Sequence, residues 1–155
     1  METAAAIQKV EELLKEWTID VQKPFENRVD ITIKAENFLP VIKTLIDAHW
    51  GYLSAITGVD RPAEEGDDGA VEVLYHIAED AAILTLRVTL PYKNPVIDSV
   101  CGLIPSATLY ERELIEMFGV TINNTPNTEH LLLPDRWPEG VYPLRKSFTG
   151  LNSAS

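Results

Sequence analysis

Three carboxylates crowd one short stretch of this sequence: Glu111, Glu113 and Glu116. A pair of acids whose environments differ can serve as general acid and general base, provided a companion group stands within hydrogen-bond reach. Candidate companions are few. The histidines are His49, His76 and His130, and Cys101 is the single cysteine. A small hydrolase or isomerase would use Glu111 or Glu113 with His130, and it would need a closed pocket around them. None of the histidines shares a local ligand spacing with Cys101, so no metal centre is spelled out. Cys101 has no visible base beside it and reads as a small core residue. The eight glycines are scattered, and Gly66 and Gly69 fall in an acidic loop that would repel phosphate. No flavin, nicotinamide or haem motif is present.

The three acids lie on a predicted helix over about 108–118. Thr108-Leu109-Tyr110-Glu111 fits a capping box and Gly119 fits a stop. A 100° wheel puts Arg112, Glu113 and Glu116 on a polar arc. Tyr110, Leu114, Met117 and Phe118 take the other arc, and Glu111 falls among them. A carboxylate on an apolar arc is expensive unless it is paired and hydrogen-bonded. Glu111 is therefore expected to be at least partly buried against a cation, with Arg145 or Arg87 as candidates.

Elements upstream supply the scaffold. Thr3 can cap a helix running to about Trp17, with Ile7, Val10, Leu14 and Trp17 on one face. Residues 18–27 read as a polar link containing Pro24. Val29, Ile31 and Ile33 alternate with polar residues as in a half-buried strand. Asn37 can cap a second helix carrying Phe38, Val41, Ile42, Leu45 and Ile46, with Pro40 tolerated in its first turn. Tyr52 to Val59 reads as a strand, and residues 60–69 as an acidic loop. Two alternating runs, 71–77 and 84–90, flank a turn at Asp80 and predict an antiparallel hairpin. Pro91, Pro95 and Pro105 interrupt regular structure between 91 and 105. The fold class is α+β: a mostly antiparallel sheet with helices packed on one side. The expected division is an α+β body over 1–119 and an extended, partner-binding C-terminal arm over 120–155. The arm holds Pro134, Trp137, Pro143 and Leu144, with Arg145 and Lys146 as basic points in an acidic chain. Aromatics and Arg are favoured at buried interface centres, so the arm either docks on a partner or folds back on its own body.

Bulk properties exclude several classes. The 155 residues suit one domain, and the formal net charge is −11. Nucleic acid is excluded as a partner, because a duplex needs Lys and Arg to replace its counterions. No apolar run approaches the roughly 18 residues that span a bilayer, so direct membrane insertion is not expected. The acidic start Met1-Glu2-Thr3 lacks a signal peptide's basic region, and the expectation is a reducing, cytoplasm-like compartment.

Tyr110-Glu111-Arg112-Glu113-Leu114-Ile115-Glu116-Met117-Phe118-Gly119-Val120 resembles the signature of the 30-kilodalton subunit family of respiratory complex I. Leu132-Leu133-Pro134-Asp135-Arg136-Trp137, followed by Tyr142-Pro143-Leu144-Arg145-Lys146, resembles the family's second signature, in order and at the right distance. Weaker similarity reaches Ile56-Thr57-Gly58-Val59-Asp60 and Tyr75-His76. Departures include Glu116 where the family usually has Asp, Thr125 where His is common, and Glu129-His130 in place of a basic pair. Trp137-Pro138-Glu139-Gly140-Val141-Tyr142 is similar to versions in membrane-bound, energy-converting nickel–iron hydrogenases, which stay open as the alternative branch.

The resemblance implies a non-catalytic, cofactor-free subunit of the peripheral arm of a membrane-associated redox complex. Its partners would be a hydrogenase-like large subunit and iron–sulfur subunits. The clusters, with flavin or nickel–iron as further possibilities, would sit in those partners. It would lie peripherally at the cytoplasmic face of the membrane. No residue is expected to be catalytic, cofactor-binding or metal-binding. The structural and interface candidates are Glu111, Arg112, Glu113, Phe118, Gly119, Pro134, Trp137, Pro143, Leu144, Arg145 and Lys146.

Overall fold

Alternating apolar residues in the middle of the chain dictate a sheet with one dry face. The computed structural model describes residues 2–151. Helix α1 (Thr3–Leu14) leads into strands β1 (Asp20–Phe25) and β2 (Arg28–Ile33). Helix α2 (Phe38–Asp47) crosses to β3 (Tyr52–Arg61), and β4 (Ala70–Glu79) and β5 (Ala82–Pro91) complete a meander. The sheet order is β1-β2-β5-β4-β3. Neighbours run antiparallel except β2 and β5, which are parallel, with Arg28 opposite Ile83 and Ile33 opposite Val88. The α+β class and the mostly antiparallel sheet are as the sequence indicates.

Register decides what each face carries. Ile31, Leu86, Tyr75 and Ile56 stand in one row across four strands and are buried. Helices cover this face: Phe38 of α2 stacks on Tyr75 at 4.3 Å, and Trp50 donates from its indole to Ala6 of α1 at 3.0 Å. Each large aliphatic side chain so buried contributes roughly 1.5–3 kcal/mol. The next row, Asp30, Thr85 and His76, points the other way. There Arg28 and Arg87 bracket Asp30, and Arg87 also reaches Glu72. Burial, with a further push from the Arg28 charge, lowers the His76 pKa; the Asp30 charge opposes this.

Several local expectations need correction. Residues 18–27 are not a link: they include β1, whose six residues are all exposed. An edge strand tolerates Lys23 and Pro24, and such residues also discourage pairing with other chains. Glu2, not Thr3, takes the N-cap position of α1, which ends at Leu14. Asn37 stands at the N-cap of α2 but makes no side-chain cap bond, because a 3-10 turn over Ala35–Asn37 already feeds the helix. The strand before the acidic loop extends to Arg61, so Asp60 is a strand residue, 4% exposed.

After β5 the chain forms a second, two-stranded parallel sheet from β6 (Val96–Asp98) and β7 (Thr121–Asn123). Helix α3 (Thr108–Phe118) lies between them in sequence and packs on β3. The packed body therefore continues past residue 119, since Val120 and Ile122 are core residues. Neither run is long enough to show a period, so the sequence pattern alone points to no strand there. Residues 124–150 form neither helix nor strand. No helix among the described residues is long and apolar enough to cross a membrane.

Candidate functional site

Helix α3 gathers the chemistry-bearing residues. Its entry is a 3-10 turn, Pro105–Ala107, so Thr108 is already helical and the N-cap is Ala107 without a side-chain bond. The predicted capping box does not form. Glu111 is freed to point inward and is wholly buried. Among the described residues no cation meets it, contrary to expectation: Arg87 serves Asp30 and Glu72, while Arg145 faces Asp60. Four donors satisfy the carboxylate instead. Ser99 Oγ donates to Oε1 at 2.7 Å, Thr125 Oγ1 at 2.9 Å and the Cys101 thiol at 3.1 Å, while the Val100 N–H donates to Oε2 at 2.8 Å. Burial, together with the Glu111 charge, raises the Cys101 pKa against the lowering effect of Ser99 and Thr125. A thiol held in its protonated form and donating to an acid is a poor nucleophile. Tyr75 is likewise pushed upward, first by burial and then by Glu111.

Glu116 departs most from its expected place. The wheel puts it on the polar arc, yet it is 5% exposed. The C-terminal segment covers it: Leu131 and Leu132 donate their N–H groups at 2.7 Å each, and Leu133 at 3.3 Å. His130 Nδ1 stands 3.3 Å away. Burial pulls the Glu116 pKa upward, but these bonds together outweigh it and hold the carboxyl below its usual range. Arg112 grips the same segment, donating to the carbonyls of Glu129 and His130 at 3.0 and 2.9 Å.

A second clasp lies further along. Asp60 accepts the Lys146 N–H at 2.7 Å and faces the Arg145 guanidinium at 3.7 Å. Arg145 also donates to the Phe118 carbonyl and stacks 4.7 Å from the Tyr92 ring centroid. Leu144 donates its N–H to Met117 at 3.0 Å. Two glycines permit this approach. A Cβ on Gly58 would stand 2.6 Å from the Phe118 ring. One on Gly119, whose φ is +73°, would strike the Tyr142 ring.

The structure thus brings Glu111, Arg112, Phe118, Gly119, Leu144, Arg145 and Lys146 into one junction. Pro134 accepts the Trp137 N–H at 2.9 Å, and the Trp137 indole donates to Val141 at 2.8 Å, closing a compact turn. Trp137 also faces Phe148 at 6.1 Å. Pro143 is half-buried between Tyr142 and Leu144, and Glu113 is half-buried without a partner among the described residues. The acid–base reading is not assembled: His130 meets Glu116, not Glu111 or Glu113. Among the described residues no group of three or more His, Cys, Asp or Glu side chains is placed to hold a metal ion. Sequence reasoning missed Asp60, Ser99 and Thr125. Extending the Ile56, Gly58 alternation by one step places Asp60 on the dry face, a signal the sequence does carry.

The family model described as respiratory-chain NADH dehydrogenase, 30 Kd subunit, matches residues 31–153. The chain belongs to this family. It is 33% identical over 150 residues to a NADH-quinone oxidoreductase subunit of Citrifermentans bemidjiense, covering 95% of this chain and 89% of that one. It is 37% identical over 101 residues to an F(420)H(2) dehydrogenase subunit of Methanosarcina mazei, covering 64% and 61%. It is 33% identical over 122 residues to formate hydrogenlyase subunit 5 of Escherichia coli, covering 78% of this chain but 21% of that one. The chain thus spans about a fifth of the length of some of its longer relatives. Among solved structures, a chain of the membrane-bound sulfane sulfur reductase, an archaeal respiratory membrane complex, shares the fold at TM-score 0.79 and 22% identity, over 97% of this chain and 89% of that one. The trypsin-resistant fragment of Nqo5 shares it at 0.65 and 21%, over 79% of this chain and 98% of the fragment.

Proposed function

We propose that this chain is a non-catalytic subunit of the peripheral arm of a complex I-type, membrane-associated redox assembly. It binds no cofactor itself and fixes the geometry between a hydrogenase-like large subunit and the iron–sulfur subunits. It sits at the cytoplasmic face of the membrane, held there by other chains. The observation that carries this reading is the family match over residues 31–153. The C-terminal segment supports it: its backbone is clasped by Glu116, Arg112 and Asp60, while Leu132 and Leu144 are left 64% and 51% exposed. A rigid backbone with outward apolar side chains is preorganised for docking. Similarity to formate hydrogenlyase subunit 5 and to hydrogenase-4 component G favours a second reading, the equivalent subunit of an energy-converting membrane-bound nickel–iron hydrogenase.

The test is a tagged purification from the native host in mild detergent, with subunit identification and metal analysis. Recovery with iron–sulfur proteins and a hydrogenase-like large subunit is the expected result, and nickel in the eluate selects the hydrogenase branch. Recovery as a lone, colourless chain refutes both readings.

A further inference from the structure

The clasp around Glu116 leaves a cleft of about 460 Å³ between α3 and the C-terminal segment. Its wall includes Glu116, His130, Asp135, Trp137, Glu139 and Tyr142. Neither Lys nor Arg is among the residues that line it. Glu116 is committed to three backbone N–H groups, so it contributes negative charge without being free to bind. Asp135 and Glu139 differ: both are exposed and, among the described residues, neither meets a cation. The Trp137 ring is fixed by its indole bond to Val141 and by Phe148, and the Tyr142 ring is fixed over Gly119.

Two immobilised aromatic rings beside unpaired carboxylates fit one kind of occupant. A cation is attracted by the ring faces and by the acids at once, and its aliphatic stem fills an apolar wall. A free anion is repelled, and a purely apolar side chain would bury Asp135 and Glu139 against nothing. Building on the docking role proposed above, we infer that this cleft receives a single Lys or Arg side chain from a neighbouring subunit of the assembly. Leu133 lines the cleft and its chain neighbour Leu132 is exposed, so a partner covering Leu132 would also cover the cation and shield it from water.

The test uses the tagged full chain in its native assembly. A salt titration on the affinity resin reads the sodium chloride concentration at which half of the co-purified large subunit is released, quantified by mass spectrometry. Asp135→Asn with Glu139→Gln removes the two free charges and keeps the side-chain volumes. This variant is expected to lower that concentration about twofold to threefold, with affinity at fixed salt reduced on the order of tenfold. Glu65→Gln with Asp68→Asn makes the same charge change in the remote acidic loop and is expected to leave release unchanged. If the cleft variant behaves as the wild type, or the loop variant behaves as the cleft variant, the cation site is wrong while the docking role stands. If no redox subunit is retained by the unaltered chain, the docking role fails and the cleft inference falls with it.

Discussion

Replacing Glu111 by leucine should unfold the junction from the inside. The substitution keeps roughly the same volume and removes an acceptor that four donors share. Ser99 and Thr125 can rotate their hydroxyls but give up a charged acceptor in doing so, and the thiol bond is weak. The Val100 N–H has no such freedom, because the backbone fixes its direction. Leaving it orphaned in a buried site costs about 1–3 kcal/mol, and losing two hydroxyl bonds to a carboxylate adds a similar amount. The total is about 4 kcal/mol, or a fall of about 10 °C in Tm for a domain of this size. Glu111→Gln should behave differently. Its carbonyl can accept from Val100, and its amide can donate to Ser99 and Thr125 once those hydroxyls turn round. The cost should stay near about 1–2 kcal/mol. Urea titration of the purified chain, with thermal melts as a second probe, measures both. A Glu111→Leu variant within about 1 kcal/mol of wild type would show that the carboxylate does not hold the 99–101 loop. Equal losses for Gln and Leu would refute the rotating-hydroxyl account.

Arg145→Met strands the buried Asp60 carboxylate and should destabilise the chain by about 3 kcal/mol in urea, with Asp60→Asn in the same background restoring part of it. Gly119→Ala must hold φ at +73° and displace Tyr142, so a loss of about 2 kcal/mol is expected. Gly58→Ala presses on the Phe118 ring from the sheet and should cost about 1–3 kcal/mol, whereas Gly66→Ala, with open space around its Cβ, should cost less despite its positive φ. Glu116 sets a pH dependence. Its folded pKa lies below the ordinary 4.5, so its contribution is complete above that value and is lost as pH falls through the lower, folded pKa. Amide exchange at Leu131 and Leu132 should accelerate there, and Glu116→Gln should abolish the acid-dependent part of that change.

What the sequence makes legible follows from period and strength of pattern. The hairpin of β4 and β5 has long, clean alternation, and α2 has a dense apolar stripe, so both are readable. β1 is not, because an edge strand exposed on both faces has no apolar period to read. The short pair β6 and β7 escapes for lack of length, and only the parallel partner gives either strand its meaning. Burial of Glu111 is legible from the wheel. Its partners are not, since Ser99 and Thr125 are distant in sequence and neutral, whereas charge reasoning looks for arginines. Glu116 is misplaced for a related reason. A helical wheel measures position around one axis, and the residues that bury Glu116 come from a segment with no period at all.

The parallel pairing at the centre of the sheet constrains the order in which the molecule can be completed. During synthesis β2 can zip onto β1 as soon as both have emerged, but its other edge stays open. The partner of that edge, β5, follows after α2, β3, the acidic loop and β4. Until Ile83 to Val88 arrive, Val29, Ile31 and Ile33 present an apolar, unpaired strand to the cell. Ribosomes deliver about 5–20 residues per second, so the interval lasts several seconds. The nascent chain is most vulnerable to strand-to-strand association in that window, and a pause in translation between β2 and β5 would lengthen it.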